Sequence, residues 1–91
     1  LHINDINIIE AKGDYVLIKL QDSNNLIVHT TLKKIMQKLP PDLFFQVHRS
    51  FIVNLKKIID IEDSTIVIDR NVIPISKRRM KPLKDILHIL D

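Results

Sequence analysis

Short apolar runs of four to six residues recur along this 91-residue chain, and clusters of turn-forming residues separate them. The runs cover residues 6–10, 15–20, 26–29, 44–47, 51–54, 58–61, 65–69 and 72–75, and are rich in the β-branched and aromatic side chains that favour strands. The breaks are Lys12-Gly13-Asp14, Asp22-Ser23-Asn24-Asn25, Glu62-Asp63-Ser64 and Arg70-Asn71, all turn-type compositions. Parallel pairing would demand a crossover of a dozen or more residues between successive strands. Only one inter-strand helix is visible, so the cadence predicts an antiparallel, mainly β fold.

That helix follows Thr30-Thr31, where a hydroxyl is available as N-cap. Leu32, Ile35, Met36 and Leu39 repeat at helical spacing, Lys33, Lys34, Gln37 and Lys38 fill the opposite side, and Pro40-Pro41 stops the element. A second apolar face, Leu83, Ile86, Leu87 and Leu90, predicts a C-terminal helix. Pro82 is costly inside a helix but tolerated in its first turn, so the regular helix is expected to begin near Pro82. Ser76 is available as a cap, and Lys77, Arg78 and Arg79 would then lie in an exposed extended or single-turn segment.

Composition narrows the function. Hydrophobic residues make up 45% of the chain, there is no Trp, and the core must be aliphatic. A single glycine excludes Gly-rich phosphate loops, and the absence of cysteine excludes disulfides, thiolate metal sites and a Cys nucleophile. His2, His29, His48 and His88 show no metal-binding spacing, and Ser50 and Ser76 lack a nucleophile-elbow context. No enzyme, cofactor or metal is therefore expected. No apolar run approaches the roughly 20 residues of a membrane span, and no signal peptide is visible. The expectation is one cytoplasmic domain over 1–91, cut from a longer protein because the chain opens on Leu1 and almost at once on a strand.

Net charge is a modest +3, but its placement is uneven. Lys77, Arg78, Arg79, Lys81 and Lys84 fall within eight residues. Arginine forks match phosphate oxygens and the guanine O6/N7 edge, and lysines add phosphate contacts. The plain alternative is a solvated helix start, although cations there oppose the helix dipole. A second constellation is His48-Arg49-Ser50, three hydrogen-bonding side chains between Phe44–Val47 and Phe51–Val53. Arg49 and its neighbours either face the same ligand as the basic run, or His48 holds a corner while Arg49 pairs with an acid. The third is Lys12-Gly13-Asp14-Tyr15, a turn whose Lys12 and Tyr15 flank the tip.

The order of these segments resembles the LytTR family of bacterial DNA-binding domains. The opening I-x-x-I-E-A-x-G-D-Y pattern stands as Ile6, Ile9, Glu10, Ala11, Gly13, Asp14 and Tyr15. The helix pattern is Thr31-Leu32-Lys33-Lys34-Ile35, followed by Pro40-Pro41. The central signature is Phe44, Val47, His48, Arg49, Ser50, Phe51, Ile52, Val53 and Asn54, and the close is Pro74, Ile75, Ser76, Lys77 and Arg78. The resemblance spans about Ile3 to Leu90.

It implies an elongated arrangement of small antiparallel sheets with one short internal helix and a C-terminal helix. It also implies sequence-specific binding of double-stranded DNA by inter-strand loops that reach successive major grooves on one face and bend the duplex. Sites would be imperfect direct repeats, bound as a dimer. The mapped contacts are Arg78 for base readout, Lys77 and Arg79 for base and phosphate, and Arg49 and Ser50 for phosphate or base edges. His48 is mainly a corner, Lys12 and Tyr15 serve the first turn, and Lys81 meets phosphate. Gln46 stands where a basic residue is common, which removes one phosphate contact. An N-terminal receiver or other sensory domain would lie outside this chain. The competing reading is a non-enzymatic interaction module whose basic patch binds RNA or an acidic protein. Discrimination retained at raised salt separates the two.

Overall fold

The computed structural model describes residues 2–22 and 24–90, with side chains through residue 88. Leu1, Ser23 of the expected polar turn, and the Leu90 side chain of the expected apolar face lie outside that description. The strands are β1 (Ile6–Lys12), β2 (Tyr15–Leu20), β3 (Asn25–Val28), β4 (Phe44–His48), β5 (Phe51–Asn54), β6 (Asp60–Glu62), β7 (Thr65–Ile68) and β8 (Asn71–Pro74). Among the described residues, the α-helices α1 (Leu32–Met36) and α2 (Lys77–Leu90) and 3-10 turns at Ile3–Asp5 and Leu55–Lys57 complete the set of elements. The architecture is mainly β, with extents of 32 × 25 × 22 Å.

The strands form a five-stranded sheet ordered β3-β2-β1-β5-β4 and a three-stranded meander β6-β7-β8, every pairing antiparallel. The five-stranded sheet is the middle layer. On one side Ile6, Ile9, Val16, Ile18, Phe44 and Ile52 pack with Leu32 and Leu39 from α1 and its C-terminal extension. On the other, Ile8, Val47 and Val53 pack against Ile66, Ile68 and Ile73 of the second sheet and Leu83 of α2. Side chains of a strand alternate strictly between faces, so a strand with apolar residues at 6, 8 and 9 serves both layers only if its alternation is broken. The register shifts between Ile6 and Ile8, which moves Ile6 and Ile9 to one face and leaves Ile8 on the other.

Turn chemistry follows the sequence. Gly13 takes φ +64 between β1 and β2, and Asp63 and Asp69 take φ 49 and 54 in the two tight turns of the meander. Asp tolerates this left-handed region better than most residues because its short side chain bonds locally. Thr31 Oγ1 accepts from the Lys34 amide and caps α1, as its hydroxyl predicts. Asn54 both turns the chain and ties it down. It is 1% exposed, accepts from the Lys56 amide, and donates to the Ile6 carbonyl at 2.9 Å.

One expectation is corrected. The C-terminal helix begins at Lys77, not near Pro82, and Pro82 lies within it. Proline there removes a hydrogen bond to the Arg78 carbonyl and costs about 3 kcal/mol in a helix interior. Burial offsets the cost: Leu83, the next residue, is fully buried, and Met80, Ile86 and Leu87 pack on the same cluster. A buried leucine contributes about 1.5–3 kcal/mol. Lys77, Arg78 and Arg79 therefore stand on an ordered first helical turn.

Candidate nucleic-acid interface

Strand pairing brings the turns that the sequence singles out to one end of the five-stranded sheet. Lys12 pairs with Tyr15 across the Gly13-Asp14 turn. Arg49 and Ser50 form the β4–β5 turn, where the Ser50 carbonyl accepts from the Ala11 amide at 2.8 Å. That bond fixes the β4–β5 turn beside the last residues of β1. His48 shapes the turn itself: its Nδ1 accepts from the Ser50 amide at 3.1 Å, and its ring packs on Phe51 at 5.7 Å.

The basic segment reaches the same end through β4. A second register shift, between Gln46 and His48, takes Val47 out of the β4–β5 ladder. The Val47 carbonyl instead accepts from the Ser76 amide at 2.8 Å and from the Ser76 hydroxyl at 3.3 Å. Ser76 thus spends its hydroxyl on β4 rather than capping α2, and sets the first turn of α2 beside the His48-Arg49-Ser50 turn. The Ser76 carbonyl accepts from the Arg79 amide at 2.9 Å and starts the helix. Lys77, Arg78 and Lys81 are exposed, and Arg79 is half-buried.

The charges are not equally available. Lys12 lies 3.5 Å from Glu10, and Lys19 lies 3.9 Å from the same carboxylate. Lys19 also donates to Asn71 Oδ1 at 3.3 Å and so links the two sheets. Arg49 is exposed and, among the described residues, neither it nor any cation of α2 has a carboxylate partner within ion-pair distance. The corner role of His48 is therefore met by geometry, whereas the pairing of Arg49 with an acid is not. The Glu10–Lys12 pair has a signal in the sequence, opposite charges two residues apart on one strand face. The structure also adds His29, whose ring meets Tyr15 edge-on at 6.3 Å between centroids. Only the β2–β3 register, Val16 opposite Val28, brings it there.

The result is a row of polar turns along a sheet end, not a pocket with convergent reactive groups. Four inter-strand steps of roughly 4.8 Å give about 19 Å between β3 and β4, before α2 is added. A mainly antiparallel domain with exposed, unpaired cations at one sheet end belongs to the class of small β domains that present a basic surface. More particularly, the family model of the LytTr DNA-binding domain matches residues 1–88, and the chain belongs to the LytTR family. That family is a DNA-binding one, not an enzyme. Relatives include the transcriptional regulatory protein YpdB of Escherichia coli strain K12, 30% identical over 96% of this chain. The sensory transduction protein LytT of Bacillus subtilis strain 168 is 38% identical over 93% of it. This chain spans 38% of the length of YpdB and 37% of that of LytT. Among solved structures, the LytTr DNA-binding domain of a methyl-accepting/DNA response regulator from Bacillus cereus superposes with a TM-score of 0.84 at 25% identity. The match covers 96% of this chain and 84% of that one.

Proposed function

We propose that this chain is the DNA-binding part of a bacterial transcription regulator and reads double-stranded DNA sequence-specifically through the turn-lined end of its larger sheet. One observation carries the reading: three segments far apart in sequence, each with exposed hydrogen-bonding side chains, stand at one sheet end and are held by backbone bonds. Arg78 reads a base edge, Lys77 and Arg79 share base and phosphate contacts, and Lys81 meets phosphate. Arg49 and Ser50 serve phosphate or base edges, Tyr15 and Lys12 contact the flank, and His48 mainly shapes its turn.

The contacts fall in successive major grooves on one face of the duplex. The same reading places a receiver or sensory domain on the amino side of the chain, with two copies on imperfect direct repeats in the cytoplasm. The names of YpdB and LytT, a transcriptional regulatory and a sensory transduction protein, support a signalling context.

Selection of bound sequences from a random duplex library at near-physiological salt tests this. Recovery of a repeated motif on one helical face is the expected result. Recovery of no motif, with equal retention of single-stranded RNA or an acidic polymer, would sink it, because generic polyanion binding loses discrimination as salt rises.

A further inference from the structure

The recognition row has a second basic flank that the α2 segment does not account for. β3 is the outermost strand opposite β4, and it runs toward the row: its Val28 pairs with Val16, next to Tyr15. The chain then passes through His29, whose ring meets Tyr15, and enters α1 after Thr31. The first residues of α1 after buried Leu32 are Lys33 and Lys34, both exposed. Neither has a carboxylate partner among the described residues, and α1 contains no acidic residue.

The chain then runs away from the row. Lys38 follows Lys34 by about 6 Å along a helical path, and the segment continues to Leu43, whose carbonyl accepts from Leu55 at the far end of β5. α1 covers one face of the sheet over β1 and β5, whereas α2 lies beside β4, so the unpaired cations of the two helices flank the turns from different sides.

We infer that Lys33 and Lys34, with His29 beside Tyr15, form a second phosphate-contacting flank that grips the duplex on the α1-covered side of the recognition row. The contact is through side chains, because the Lys34 amide is already taken by Thr31 Oγ1. Phosphate carries no base identity, so this flank adds affinity and register but no sequence preference. The inference rests on the DNA-binding reading above and extends its surface from the α2 side of the turns to the α1 side.

The test compares two double variants of equal charge change. One is Lys33→Gln with Lys34→Gln. The other is Lys56→Gln with Arg70→Gln, both exposed and away from the row, Lys56 lying just past the far end of β5 and Arg70 beside Leu20 and Asn25 at the far end of β2 and β3. Binding of each to a mixed-sequence B-form duplex is measured against salt. Each phosphate contact contributes about 0.9 to the slope of log K against log salt, so the first variant should lose about 1.8 of slope with its selected motif unchanged. The control should keep the slope, since charges beyond the roughly 8 Å Debye length are screened. Equal slopes for the two variants would overturn this flank and leave the DNA-binding reading standing. Failure of the unaltered chain to bind the duplex at all would overturn both.

Discussion

The Ser76 amide and hydroxyl both donate to the Val47 carbonyl, at 2.8 and 3.3 Å. This pair joins the start of α2 to the end of β4 and so decides where the basic turn stands. The Val47 carbonyl is free for it only because the β4–β5 register slips at that residue. Ser76→Ala removes the weaker bond and keeps the backbone one. Urea unfolding should show a loss of about 0.5–1 kcal/mol, the usual net worth of one such bond, with DNA preference unchanged.

Arg78 is exposed on the first turn of α2, and Lys81 lies nearly one turn further on. Arg78→Ala should weaken binding to the selected site by about 1–3 kcal/mol and relax preference at one base position. Lys81→Ala should weaken all sequences about equally. Competition binding against single-base variants of the site separates the two. An Arg78→Ala protein with unchanged affinity and preference would move base readout elsewhere in the row.

His48 gives the β4–β5 turn its acceptor for the Ser50 amide. His48→Ala strands that amide in a half-buried position, and loss of a partner there costs about 1–3 kcal/mol. Asparagine places an acceptor at similar reach and bonds two residues along its own backbone readily. Thermal unfolding of His48→Asn should therefore recover most of the stability, and its DNA affinity should recover with it. Recovery of stability without affinity would make His48 a direct contact instead of a corner.

Gly13 has φ +64, and a Cβ placed there meets nothing within 4 Å. Space is thus no obstacle, and backbone strain alone decides the effect. Gly13→Ala should cost about 1–2 kcal/mol, while Gly13→Asn should cost less. If both unfold at the urea midpoint of the parent chain, the turn does not hold this conformation in solution.

Pro82 and Leu83 act oppositely on α2. Pro82→Ala restores the amide donor and should stabilise the chain by about 2 kcal/mol, the proline penalty less what proline saves in the unfolded chain. Leu83→Ala should destabilise by about 2–5 kcal/mol, because the side chain is fully buried between the helix and the sheets. Denaturant midpoints of both variants check the pair. A destabilised Pro82→Ala would mean that the helix depends on a bend the proline imposes.

Much was legible from local chemistry. The strand runs, the Gly13 turn and the Thr31 cap depend on neighbours within a few residues, and the sequence states them directly, whereas α1 ends at Met36, before the Pro40-Pro41 stop the sequence suggests. The cluster from Lys77 to Lys84 and the His48-Arg49-Ser50 insert were likewise visible as breaks in an apolar pattern. The start of α2 was not. Local propensity stops a helix at Pro82, and only the burial of Leu83 against a sheet built from distant residues outweighs it. Nor could spacing show that Glu10 also holds Lys19, or that His29 reaches Tyr15, because those contacts follow from strand register. The sequence by itself determined which residues carry charge and where the chain turns. The tertiary structure decided which turns share an end and which cations remain unpaired, because antiparallel pairing and two register shifts set those distances across dozens of residues.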